Sequence, residues 1–106
     1  MSPKQKQLNL LGLAQRAGYL VTGDELVEKA SKTGQVVLIV CASDASDKTK
    51  KRYQDLSEYW QIPVSFAFNR LEISQALGKK RTLCGLKNRG MAKKFLSYES
   101  GEVYDS

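Results

Sequence analysis

The chain contains no histidine, and that one absence removes both the commonest general base and the commonest metal ligand. Only two cysteines occur, Cys41 and Cys84, each inside an apolar run, VVLIVCA and TLCGL. With no C-x-x-C pair, these are expected to be buried, reduced strand residues, inert rather than nucleophilic, as in a cytoplasmic protein. A zinc site lacks ligands. The sequence has no G-x-G-x-x-G and no P-loop lysine, so nucleotide-cofactor binding has no support. No apolar run approaches transmembrane length, and LNLLGLA near the start is interrupted by Asn9 and closed by Arg16, unlike a secretory signal. Asp44, just past VVLIVCA, is the residual catalytic candidate, and its ordinary role is a helix cap or turn former. Neither an enzyme nor a cofactor is expected.

What the chain has instead is positive charge. Its 106 residues carry 17 Lys+Arg against 11 Asp+Glu, a net +6 with a pI near 9.4. That balance favours polyanionic partners, nucleic acid above all. The basic residues cluster in KTKKR (48–52), GKKR (78–81), KNRG (87–90) and KK (93–94). KTKKR reads equally well as the solvated face of a helix.

Hydrophobic periodicity and punctuation give the organisation. Ser2, Pro3 and Gln5 form a helix start, and Leu8, Leu11 and Ala14 recur at helical spacing until Gly18. YLV (19–21) is a short extended piece, and a second helix is predicted from 23 to 32. VVLIVCA is too continuous for a half-exposed strand and reads as central. A third helix starts at Ser46 or Asp47, with Thr49, Tyr53, Leu56 and Trp60 as its inner stripe. VSFAF and TLCGL are further strands, LEISQALG and GMAKKFLSY further helices. This alternation predicts a three-layer α/β/α sandwich around a parallel or mixed sheet, in one domain over residues 1–98. The acidic end, ESGEVYDS (99–106), has no helical stripe and is expected to be a flexible tail.

One stretch resists this bland reading. In VTGDELVEKASKTG, Thr22 and Glu25 have capping-box spacing, yet the first helical position falls on Gly23, the worst helix former short of proline. Gly90 opens the last helix in the same way, beside Lys87, Asn88 and Arg89. Glycine-led helix starts can present free N–H groups to phosphate; they can also merely suit tight strand-to-helix turns.

Taken in order, GLAQRAGYLVTGDELVEKASKTGQVVLIVCASDAS, IPVSF, LGKKR and LKNRGMAKKF resemble the ribosomal protein L-seven-Ae/L-thirty-e family, in its small bacterial YlxQ-like branch. The resemblance spans roughly residues 8–96. It implies a mixed four-stranded sheet between helices and a non-catalytic protein that recognises kink-turn RNA, ribosomal or ribosome-associated. A kink-turn is a sharply bent duplex with a bulge and tandem sheared G·A pairs. The resemblance further implies that Gly23 lets backbone press into the RNA groove, with Lys29 at the same groove. Where the family has a guanine-reading Asn-Glu or Lys-Gln, this chain has Glu25 and Leu26, or Asp24 and Glu25 in a register shifted by one, so either Asp24 or Glu25 would accept from guanine edges. Asn69, Arg70, Lys87, Asn88 and Arg89 match two further contact loops, with Leu86 as the apolar residue beside the bulge, all expected at one end of the sandwich. RNA is the expected partner; a membrane and a small-molecule substrate are not. The alternative is a ribosome-associated protein–protein adaptor using Tyr53, Tyr59 and Trp60, should the last not be packed in the core.

Overall fold

The run VVLIVCA is apolar at consecutive positions because the strand it forms is covered on both faces. In the computed structural model, which describes residues 1–99, the elements follow one another as α1 (Pro3–Ala17), β1 (Leu20–Thr22), α2 (Asp24–Lys32), β2 (Leu38–Cys41), α3 (Asp47–Trp60), β3 (Val64–Ser65), α4 (Arg70–Leu77), β4 (Leu83–Leu86) and α5 (Arg89–Glu99). Every residue of β2 and β4 is buried. The sheet order is β1-β4-β2-β3, with β4 antiparallel to both β1 and β2, and β3 parallel to β2. The sheet is therefore mixed. Helices α2 and α3 pack on one face and α1, α4 and α5 on the other, the three-layer sandwich that the alternation predicts.

Local chemistry explains most boundaries. Ser2 caps α1, its Oγ accepting from the Gln5 N–H at 3.1 Å, and Gly18 closes the helix in the left-handed region. The Gln5 side chain does not reciprocate toward Ser2 but donates to Asn9. Ser46 caps α3 by accepting from the Thr49 N–H. VSFAF is strand only at Val64–Ser65, where it pairs with β2; past that point the chain turns toward the Phe68 anchor, which is fully buried against Phe95. The predicted inner stripe of α3 is half right: Tyr53 and Leu56 are buried, whereas Trp60 is 40% exposed in an edge-on pair with Tyr59, which is 78% exposed. Trp60 is the last residue of the helix, beyond the reach of the core that Leu56 still meets. α5 continues one residue past the expected domain boundary at 98, and the rest of the acidic tail lies outside the described residues.

The strand directions fix what can meet at each end of the sheet. One end collects the exits of β1, β2 and β3 and the entry to β4: Gly23, Asp44, Asn69 and Arg81. The other collects the entry to β1 and the exit of β4. There the Lys87 N–H donates to the Tyr19 carbonyl at 2.8 Å.

The start of α4 is tied down by two carboxylates. Asn69 and Glu72 form a full capping box, and Lys4 reaches Glu72 at 2.6 Å. Asp44 accepts from the Arg70 N–H at 2.8 Å, which makes it a turn-former, as its position predicts. The Arg70 backbone N–H holds the Asp44 carboxyl below its usual range, and Lys4 followed by the Asn69 N–H does the same for Glu72. Carboxyls depressed in the folded state stabilise above their unfolded pKa values, about 3.9 and 4.3, and lose that contribution as pH falls through the folded values. Carbon-detected NMR titration should therefore give both residues midpoints below these reference values, with Asn at position 44 removing the first curve.

Gly85 lies in β4 between β1 and β2, opposite Val21 and Ile39. A Cβ there would stand 2.9 Å from Val36 Cγ2 and 3.2 Å from Val21 Cγ2. Gly85→Ala should thus cost about 1–3 kcal/mol of overpacking, seen as a lowered denaturant midpoint with unchanged slope. Trimming Val36 to alanine in the same chain should relieve the clash.

Candidate nucleic-acid interface

β1 hands the chain to α2 in a single residue. Thr22 is still paired with Cys84 in the sheet, and Asp24 is already helical, so Gly23 must turn the backbone by itself. It does so at φ 94°, ψ 143°, a region closed to L side chains without strain. This places Gly23 at the N-cap, one residue later than the Thr22 cap expected from the sequence. No capping box forms. Thr22 Oγ1 instead accepts from Arg81 Nε at 3.0 Å, and Glu25 makes no ion pair or capping bond among the described residues.

The outcome is a helix start with no side chain over it. A Cβ on Gly23 would meet nothing within 4 Å. By contrast α1, α3 and α4 are capped by Ser2, Ser46 and Asn69, while the Asn88 Oδ1 accepts from the Met91 N–H at 2.9 Å at the start of α5. Gly90 therefore sits one residue inside a capped helix, without positive φ, and does not repeat the Gly23 arrangement. Among the helices of the described residues, α2 alone leaves its first-turn N–H groups without a side-chain acceptor, at the positive end of the helix dipole.

α3 governs the charge around that start. The Arg52 guanidinium pairs with Asp24 Oδ1, and the Tyr53 hydroxyl donates to the same carboxylate or to the Asp24 carbonyl, 2.9 Å away. Asp24 is thus ion-paired to α3 at the edge of the cleft beside Gly23. Glu25 remains exposed, with Lys29 four residues later along the same face, and exposed Leu26 stands three residues before Lys29. Lys29 is exposed and makes no ion pair among the described residues.

Gly23 opens onto a cleft of about 750 Å³ lined by the cations Arg70, Lys80 and Arg81, by the carboxylates Asp24 and Asp44, and by Leu71. Arg70 leans on Asp44, with Nε at 3.6 Å from Oδ2. Lys80 is exposed and has no ion-pair partner among the described residues, whereas Arg81 is held beside Gly23 by its bond to Thr22. Leu71 is 65% exposed. Asn69 spends its carbonyl oxygen on the α4 cap but keeps its amide N–H₂ outward, with no partner among the described residues.

Not every predicted contact converges here. Gly23, Asp24, Glu25, Asn69 and Arg70 stand at one end of the sheet, with Lys29 on the outer face of α2. Lys87, Asn88 and Arg89 follow the exit of β4 and stand at the opposite end, because β4 runs against the other three strands. Leu86 is a fully buried strand residue paired with Leu20 and Leu38, so it cannot cover a base. The loop that does reach Gly23 is the one entering β4, with Lys80 and Arg81. The basic run GKKR marked it, but its direction depends on a strand order that the sequence does not display.

Ion pairs sort the remaining charges. In KTKKR, Lys50, Lys51 and Arg52 pair with Asp47, Asp55 and Asp24, which makes the run mostly an internally compensated helix face. Among the described residues no group of acids and cysteines is arranged to hold a metal, and burial pushes the Cys41 and Cys84 thiols up to about 11 and about 12.

Residues 5–95 match the profile of the ribosomal protein L7Ae/L30e/S12e/Gadd45 family. The RNA-binding protein YlxQ of Enterococcus faecium is 42% identical over 91 residues, spanning 86% of this chain and 88% of that protein. The RNA-binding protein YlxQ of Bacillus subtilis (strain 168) is 33% identical over 89 residues, 83% and 89% of the two chains. A solved structure of a protein of unknown function from Bacillus halodurans C is 43% identical, with a TM-score of 0.86 over 90% of this chain and 97% of that one. The Giardia lamblia 15.5kD RNA binding protein, 15% identical, shares the fold alone, with a TM-score of 0.77 over 93% and 86%. This chain belongs to the ribosomal protein L7Ae/L30e/S12e/Gadd45 family.

Proposed function

We propose that this protein is a non-catalytic, cytoplasmic RNA-binding protein that recognises a sharply bent, kink-turn-like RNA, ribosomal or ribosome-associated, through the sheet end that carries Gly23. The observation that carries this reading is the bare, uncapped start of α2 beside Arg81 and Lys80. Main chain with nothing over it can enter a groove that a side chain would fill, and its free N–H groups favour phosphate. The RNA-binding relatives and the family membership support the same class of ligand.

The residues divide by chemistry. Glu25, rather than Asp24, whose carboxylate is occupied by Arg52, accepts from guanine N–H groups. Lys29, Lys80 and Arg81 hold phosphates, with Arg70 able to join from its pairing with Asp44. Asn69 donates its amide to sugar or base, and exposed Leu71 offers an apolar surface to an unstacked base. Arg52 acts indirectly, by compensating the Asp24 charge at the edge of the groove.

Electrophoretic mobility shift with a kink-turn duplex and an unbent duplex of equal length tests the proposal. The kinked RNA should bind more tightly, with affinity falling steeply in salt; equal affinities would reduce the protein to a general basic adhesive. Lys80→Ala and Lys29→Ala should each lower the salt slope by about one unit without changing thermal stability. An unchanged slope would remove that residue from the interface.

The adaptor reading rests on a different observation, the exposed Tyr59–Trp60 pair at the end of α3. Cross-linked partners that survive ribonuclease and are lost in Tyr59→Ala would support it; their loss on ribonuclease treatment would set it aside.

A further inference from the structure

A second group of cations has no part in the site above. Lys87, Arg89 and Lys93 make no ion pair with any described residue. The topology puts Lys87 and Arg89 at one junction. Gly18 ends α1 there, and the carbonyl of Tyr19, 44% exposed, accepts the Lys87 N–H at 2.8 Å. Arg89 opens α5, and Lys93 follows four residues later on the same helix face. The six steps from Arg81 to Lys87, extended at about 3.3 Å each, separate this junction from the Gly23 end by about 20 Å. The two loops leave the sheet in opposite directions.

We infer that this second basic pole binds a second RNA segment, so that the protein bridges two stretches of polynucleotide. The inference rests on the RNA-binding reading of the first site. Charge complementarity favours an RNA over a protein surface. Among the described residues, the acids that form ion pairs do so elsewhere, on α2, α3 and α4 and in the loop after β2, and leave this pole like-charged. Clustered like charges repel one another unless a polyanion covers them. Tyr19 adds a half-exposed ring on which a base can stack.

The test uses the full chain, saturated with one equivalent of unlabelled kink-turn RNA and titrated at low salt with a fluorescent, unbent RNA duplex. The saturated protein should bind the duplex. Lys87→Ala/Arg89→Ala should weaken that second event at least about tenfold and lower its salt slope by about two units, with kink-turn affinity held within about twofold. Asn88, which caps α5, is left in place, and circular dichroism checks the fold. Lys48→Ala/Lys51→Ala removes the same charge from α3 and should leave duplex binding unchanged. Three results would overturn the inference: no duplex binding by the saturated protein, equal losses in the two double variants, or parallel loss of kink-turn affinity in the first. If kinked and unbent RNA prove indistinguishable at the first site, that reading fails on its own, and the comparison of the two double variants still decides this one.

Discussion

A single residue carries the chain from the sheet into α2, and the geometry of that step controls what the rest of the molecule can offer a ligand. Thr22 is bound into β1 and Asp24 into α2, so the whole change of direction falls on Gly23, at a positive φ that only glycine holds without strain. The same residue that makes the turn leaves it bare. Turn-making and ligand access, which the sequence presents as rival explanations for the glycine, are therefore one requirement. The cap that would normally satisfy the first N–H groups is absent because the only position for it has no side chain.

Such a helix start has a positive dipole end but also two acids in its first turn. α3 resolves the conflict. Arg52 and the buried Tyr53 take up Asp24, which compensates one negative charge at the groove edge and fastens α2 to its neighbour. Arg81, bonded to Thr22, brings a cation to the other flank. Packing in the sandwich, more than the local sequence of α2, sets the electrostatic character of its end.

Much of the fold was legible in the linear chain. The apolar continuity of VVLIVCA, the caps at Ser2 and Ser46 and the glycine stop at Gly18 all mark elements that form as their physics dictates. Errors fell where tertiary context overrides a local pattern. Thr22 has the spacing of a cap, yet pairing with β4 keeps it in the strand; Trp60 continues a helical stripe past the end of the core. The candidate site was legible at Gly23 and at the Asn69–Arg70 corner, but not as a whole. Which loops share an end depends on β4 running antiparallel between β1 and β2, and that order leaves no trace in residue spacing. Leu86 to Arg89 were drawn to the wrong end for this reason. The bond partners of Asp24, 28 and 29 positions away, were invisible for the same reason.

The most direct test of the account is a map of backbone amide shifts on adding one equivalent of kink-turn RNA. If bare main chain meets the folded RNA, the largest changes will fall on Gly23, Asp24, Glu25 and Leu26 and on the Lys79–Thr82 loop. Unmoved amides at those positions, with changes confined to α3 or α5, would contradict it.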